Sequence, residues 1–277
     1  MSEVTIGLLH PGEMGAAVGQ CLVTSGHEVL WLPAGRSEAT ATRAGAAGLT
    51  GAADLADLVR RADVIMSVCP PHAALEIARQ VGGSGFGGLY LDANAISPAT
   101  AREVAGIVEG GRATYVDGGI IGTPPVAPGF IRLYLSGGRA GEIRALVEGT
   151  GVDVRVLDRA EAGAASAVKM AYASWTKGSA ALLLAARALA QAEGVEDALL
   201  AEWGLSQPAL EGQSARAAGS AAGKGWRWVA EMEEIAASMA AAGLPDGFHQ
   251  AAAEIYRRSP HADPAVDAVL GALRAGR

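Results

Sequence analysis

The stretch Val4-Thr5-Ile6-Gly7-Leu8-Leu9-His10-Pro11-Gly12-Glu13-Met14-Gly15 decides the fold. Its apolar run from Val4 to Leu9 reads as a β-strand, a glycine-containing turn follows without a break, and Met14 to Thr24 then carries a helix-compatible pattern. Outward from this unit, β-rich runs recur at Glu28 to Leu32, Val64 to Val68, Leu89 to Asp92, Thr114 to Val116, Ile131 to Leu135 and Val154 to Leu157. Helix-compatible stretches such as Ala99 to Val108 lie between them. Alternating strands and helices predict an α/β fold with a doubly wound parallel sheet, because parallel strands need crossover helices that cover both faces. After Asp158 the strand signals stop. Ala160 to Glu193 is Ala/Leu-rich and free of proline, with Gly194 where a helix end belongs. The rest is helical in pattern, with breaks expected at Gln207-Pro208, around Gly219 to Gly225, at Gly243-Leu244-Pro245 and at Ser259-Pro260. Two domains are therefore expected, 1–159 and an all-α 160–277, joined by the long helix itself rather than by a flexible linker.

Composition narrows the class. Half of the 277 residues are apolar, enough for a sizeable core, and the net charge of −7 with scattered Lys and Arg offers no stripe to follow a phosphate backbone. Nucleic acid is not an expected partner. Cys21 and Cys69 each sit in an apolar run, the pattern of reduced thiols, and no apolar run is long enough to span a membrane. No ligand spacing points to a metal. The chain reads as a cytoplasmic protein acting on small molecules.

Strand, glycine turn and helix together form the context a dinucleotide fingerprint needs, since a helix N-terminus offers free N–H groups and a positive dipole end to a pyrophosphate. His10 replaces the first glycine of that fingerprint, whereas Gly12 and Gly15 keep their places. A turn without special use is the plain alternative. At the end of the second strand, Leu32-Pro33-Ala34-Gly35-Arg36-Ser37 has no acidic residue to hold a ribose 2′-hydroxyl. Arg36, with Ser37 and Thr40, suits a 2′-phosphate instead, so NADP(H) is the expected cofactor ahead of NAD. A solvated surface arginine is the bland reading.

These residues resemble the β-hydroxyacid dehydrogenase superfamily, which includes 3-hydroxyisobutyrate dehydrogenase, 6-phosphogluconate dehydrogenase and the imine reductases. The resemblance spans nearly the whole chain. It is carried by Ile6 to Gly15, by Val64-Ile65-Met66-Ser67-Val68-Cys69-Pro70-Pro71, by Leu91-Asp92-Ala93-Asn94-Ala95-Ile96-Ser97-Pro98, by Val116-Asp117-Gly118-Gly119-Ile120-Ile121-Gly122-Thr123 and by Gly163 to Tyr172. It implies a Rossmann domain with cofactor contacts at His10, Pro11, Gly12, Glu13, Met14, Cys69, Pro70, Pro71 and Asn94. It implies substrate contacts at Asn94, Gly118, Gly119, Ile121, Gly122, Thr123 and Lys169. Lys169 matches the family's catalytic lysine, which exchanges a proton with the substrate oxygen as hydride moves. Its Ala/Val/Met surroundings suit a proton donor, although a lysine snorkelling from a helix face is the structural alternative.

The departures concern the substrate. Ile121 stands where the family has a serine that contacts a carboxylate, and Tyr172 and Ala173 stand where asparagines are usual. Tyr172 can serve as a hydrogen-bond donor or second acid. The family's cofactor-contacting lysine near Trp226 to Ala236 is not visible; there Glu231 and Glu234 read as a solvated acidic face and His249 as a helix-end residue. The reading is an NADP(H)-dependent oxidoreductase interconverting an alcohol and a ketone or aldehyde on a small polar 3-hydroxyacid-like substrate. The alternatives are an imine reductase or amine dehydrogenase of the same fold, and a non-catalytic nucleotide-binding sensor. The length of the Ala/Leu-rich helix predicts a homodimer, with Trp175, Trp203, Trp226 and Trp228 as candidates for its interface or for plain core.

Overall fold

The computed structural model describes residues 4–124, 130–159, 161–260 and 264–275. Two compact units make up the chain, 1–170 and 171–277. In the first unit, β1 (Thr5–Leu9), α1 (Glu13–Thr24), β2 (Glu28–Trp31), α2 (Glu38–Ala46), β3 (Thr50–Gly51), α3 (Leu55–Arg61) and β4 (Val64–Ser67) form one half. α4 (Ala74–Gly82), β5 (Leu89–Asp92), α5 (Pro98–Gly110), β6 (Thr114–Gly122), β7 (Ile131–Ser136), α6 (Ala140–Val147) and β8 (Asp153–Val156) follow. The sheet order is β3-β2-β1-β4-β5-β6-β7-β8.

Near-continuous apolar strands are what burial on both faces requires. Ile6, Leu8, Val29, Met66 and Leu91 pack in one core with Leu22 of α1, Ala44 of α2 and Ile143 of α6. The alternate residues Leu9, Leu30, Ile65 and Tyr90 pack on the other face with Leu58 of α3, Val81 of α4 and Val104 of α5. Strands β1 to β6 are parallel, but β7 runs antiparallel to β6. Only residues 123–130 connect β6 to β7, too short for the crossover a parallel strand needs. β6 is also longer than the segment Thr114 to Val116 suggests: Asp117 to Gly122 pair in register with Ser136 to Ile131. The order reverses at β1 and β4, which pair Leu9 with Ser67 at their carboxyl ends. This is the crevice where doubly wound sheets bind ligands.

α7 (Ala164–Ala192) begins in the first unit. The remainder of α7 lies in the second with α8 (Glu196–Ser206), α9 (Leu210–Ala241), α10 (Gly247–Arg258) and α11 (Val266–Arg274). The breaks at Gln207-Pro208, Gly243-Leu244-Pro245 and Ser259-Pro260 occur, but α9 passes unbroken through Gly219 to Gly225. Each helical glycine costs about 1 kcal/mol against alanine. Packing offsets it: Ala218, Ala221, Ala222 and Gly225 are buried, and a Cβ on Gly225 would lie 3.4 Å from the Tyr256 ring of α10. No helix among the described residues is long and apolar enough to cross a membrane.

Candidate functional site

The turn after β1 starts on His10, whose φ of 68° lies in the left-handed region. Its carbonyl accepts from the Gly12 N–H at 2.8 Å, tightening the turn into α1. A Cβ on Gly15 would lie 2.5 Å from the His10 carbonyl oxygen, so only glycine lets α1 approach the turn this closely. At Gly12 the same added atom would meet nothing within 4 Å, so the fold does not demand glycine there and the space beside its backbone is open. Gly12 is also the N-cap of α1 and provides no side chain to satisfy the first N–H groups. Pro11 is buried, Met14 is half-buried against the core, and Glu13 is exposed in the first turn.

Arg36 reaches this turn from the end of β2. Its Nη2 lies 3.5 Å from His10 Nδ1, and its Nε is buried without a hydrogen-bond partner. Ser37 caps α2, accepting from the Thr40 N–H, and its hydroxyl lies 3.1 Å from that of Thr40. Arg43, which sequence reasoning passed over, donates to Thr40 Oγ1 at 3.2 Å and also has a buried Nε without a partner. Its only sequence signal is a place three residues beyond Thr40 on the helix that Ser37 starts. An uncapped helix start, open space at Gly12 and two orphaned guanidinium N–H groups all suit a phosphate-bearing dinucleotide.

The loop after β4 is braced from below. Asn94 is buried, and its Oδ1 accepts from the Cys69 N–H at 2.6 Å while its Nδ2 donates to Ser67 Oγ at 3.1 Å. Asn94 therefore sets the course of Cys69-Pro70-Pro71. Burial pushes the Cys69 thiol up to about 12, which leaves it an unreactive packing group. Asp92 is fully buried, and one oxygen accepts from the Asn94 N–H while the other lacks a partner. Desolvation raises its pKa to about 7, helped by Asp117, its direct neighbour in register on β6.

Asp117 anchors α7. Its carboxylate accepts from the Ser166 N–H at 3.0 Å, from Ser166 Oγ at 2.6 Å and from Ser136 Oγ at 3.0 Å, while Ser136 Oγ accepts from the Ala165 N–H at 3.1 Å. Two N–H groups of the first helical turn are thus satisfied by side chains from β6 and β7, and the carboxylate meets the positive dipole end. Lys169 follows one turn later, half-buried. A Cβ on Gly119 would lie 2.6 Å from the Ala165 carbonyl oxygen and 3.2 Å from Lys169 Cβ, so this glycine lets α7 lie directly on β6. Gly119→Ala is expected to cost about 1–3 kcal/mol in urea unfolding through overpacking. Gly118 is equally confined, 2.8 Å from the Asp92 carbonyl oxygen by the same measure. Ile121 is buried, whereas Gly122 and Thr123 are exposed at the end of β6. Tyr172, three residues beyond Lys169, is 46% exposed.

In the second unit Glu231 departs from the solvated-face reading. It is buried and ion-paired with Lys177, whose ammonium also lies 5.3 Å from the Trp228 ring, and Tyr256 donates to the Lys177 carbonyl at 2.6 Å. His249 is buried near the start of α10, 3.4 Å from the Ser174 carbonyl. Trp203 is buried, while Trp175 and Trp226 are exposed. No group of His, Cys, Asp and Glu able to hold a metal occurs among the described residues. A hollow of about 500 Å³ lies at the amino ends of β1, β4 and β5, lined by Val4, Asp63, Val64 and Leu89, at the opposite end of the sheet from the crevice.

Fold and turn together define a dinucleotide-binding domain of the doubly wound type, followed by a helical region. Residues 5–146 match the NAD binding domain of 6-phosphogluconate dehydrogenase, and the chain belongs to that family. Residues 190–259 match a domain of unknown function. A Methanothermus fervidus protein described as an uncharacterized 28.5 kDa protein in the 7S RNA 5′ region is 32% identical over 195 residues, 70% of this chain and 74% of its own length. Among solved structures, the conserved protein MTH1747 of unknown function, reported as structurally similar to 3-hydroxyacid dehydrogenases, is 27% identical. The match covers 98% of this chain and 100% of that one, with a TM-score of 0.68. Mycobacterium tuberculosis 3-hydroxyisobutyrate dehydrogenase with L-serine shares the fold at a TM-score of 0.73 and 22% identity, covering 99% and 100% of the two chains.

Proposed function

We propose that the chain is an NADP(H)-dependent oxidoreductase interconverting an alcohol and a ketone or aldehyde on a small polar 3-hydroxyacid-like substrate. In this reading 1–159 bind the cofactor and 160–277 supply the substrate and dimerisation domain. The observation that carries it is Lys169, set on β6 by the Asp117 anchor, in a chain whose turn after β1 suits a dinucleotide. When bound, NADP(H) would supply or take up the hydride. Lys169 donates a proton to the carbonyl oxygen in reduction and accepts it from the alcohol in oxidation. The amides of Gly122 and Thr123, exposed at the end of β6, receive the substrate's anionic group. Asn94 supports the loop of Cys69, Pro70 and Pro71 that covers the cofactor. Reduction of an imine is the second reading, favoured by the exposed phenol of Tyr172 one turn from Lys169.

The 2′-phosphate falls to Arg36, with Arg43, Ser37 and Thr40 around it. Fluorescence titration is expected to show NADPH binding at least about tenfold more tightly than NADH, a gap of about 1.4 kcal/mol. Arg36→Ala is expected to abolish that gap by weakening NADPH alone. Equal affinities in the unaltered protein defeat the NADP assignment. A cytoplasmic homodimer is the proposed assembly, supported by Trp175, Leu182 and Leu189, which repeat every seven residues along α7 and are 75%, 56% and 65% exposed.

A further inference from the structure

We infer that His10 is a specificity-determining residue, whose neutral imidazole holds the Arg36 guanidinium in the orientation that receives the 2′-phosphate of NADP(H). The inference rests on the NADP reading above and adds a second residue to it. A guanidinium can only donate, so the 3.5 Å approach of Arg36 Nη2 to His10 Nδ1 assigns the lone pair to Nδ1 and the proton to Nε2. Burial, followed by the charges of Arg36 and His72, holds the imidazole at about 4, so it stays an acceptor throughout the neutral range.

The choice of residue has a physical logic. Glycine, which fits the left-handed φ of 68° without strain, has no side chain to guide an arginine arriving from another strand. A carboxylate there would guide it but would cancel its charge and repel an incoming phosphate. A neutral acceptor orients the guanidinium and leaves its full charge for the ligand. Histidine is among the non-glycine residues that enter this backbone region more readily, and the Gly12 N–H bonding to the His10 carbonyl at 2.8 Å keeps the turn in place. The buried Arg36 Nε, still without a partner, is what a phosphate oxygen would satisfy.

The test is titration of the full chain with NADPH and with NADH in four forms: unaltered, His10→Gly, His10→Asn and Arg36→Ala. His10→Gly restores the residue this backbone accepts most easily and is expected to fold. It should narrow the ratio of NADPH to NADH affinity about five- to tenfold, whatever it does to the two affinities together. His10→Asn keeps an acceptor oxygen at similar reach and should recover most of the NADPH preference. The proposal is overturned if His10→Gly retains the full preference while Arg36→Ala loses it, or if His10→Asn behaves like His10→Gly. If the unaltered protein has no preference and Arg36→Ala changes nothing, the cofactor reading itself falls, and this inference with it.

Discussion

Replacing Lys169 by alanine is expected to lower turnover about a thousandfold, roughly 4 kcal/mol of transition-state stabilisation, with the Kd for NADPH unchanged within twofold. The magnitude follows from what the residue is asked to do. A carbonyl oxygen gaining charge as hydride arrives needs a proton, and a positioned acid supplies it far better than water. Position is provided before the reaction: the Asp117 carboxylate and Ser136 hydroxyl fix the first turn of α7, and Gly119 lets that turn sit against the strand. The split between turnover and binding separates the readings, because Lys169 lies on α7 whereas the residues proposed to hold the cofactor lie at the ends of β1, β2 and β4. The measurement is initial rate with NADPH and small β-keto acids, or NADP⁺ and 3-hydroxy acids, alongside cofactor titration. A variant that turns over normally removes Lys169 from the mechanism. A protein that binds NADPH, turns over none of these substrates or the corresponding imines, and changes conformation equally with and without Lys169 is a sensor.

The nucleotide half was largely legible because its signals are local. Ile6 and Leu8 against Leu9, the turn at Gly12 and Gly15, and the lack of an acid after β2 all lie within a few residues of each other. β3 escaped because Thr50–Gly51 is two exposed residues at the sheet edge with no apolar period to detect. The antiparallel course of β7 escaped because Ile131 to Leu135 reads in sequence as one more strand of a parallel sheet; its alternation, with Ile131, Leu133 and Leu135 buried and Arg132 and Tyr134 partly exposed, is the pattern an antiparallel strand allows. The continuity of α9 through Gly219 to Gly225 depends on α10, whose Tyr256 needs the close approach that glycine gives. Glu231 looked solvated since its partner, Lys177, lies 54 residues away on another helix. The anchor of Lys169 was hidden for the same reason: Asp117 and Ser166 are 49 residues apart. The family resemblance pointed to the lysine, and only the tertiary fold shows what holds the helix that carries it.

Asp92 carries the second large expectation, a stability that declines as pH rises from about 4 to about 7. Its carboxyl titrates at about 7 in the folded protein, whereas an unfolded aspartate titrates near 3.9. The folded state therefore binds the extra proton, and between these values stability falls with rising pH, by up to about 1.4 kcal/mol per unit. It is fully kept below about pH 4 and the loss is complete above about pH 7. Two features of the structure cause the shift: complete burial, and the Asp117 carboxyl group opposite on β6, which accepts from the Ser166 N–H. Asp92→Asn keeps an oxygen for the Asn94 N–H and cannot ionise, so it removes this component alone. Urea unfolding of both proteins without cofactor at pH 5 and pH 8 isolates the effect as a difference of differences. The variant is expected to gain about 2–3 kcal/mol on the unaltered protein between those two values, whatever its stability at either one. A gain below about 0.5 kcal/mol means that Asp92 is ionised in the fold at pH 5. In that case its buried oxygen has a partner that holds the charge on β5, next to the Asp117 side chain that fixes the first turn of the helix carrying Lys169.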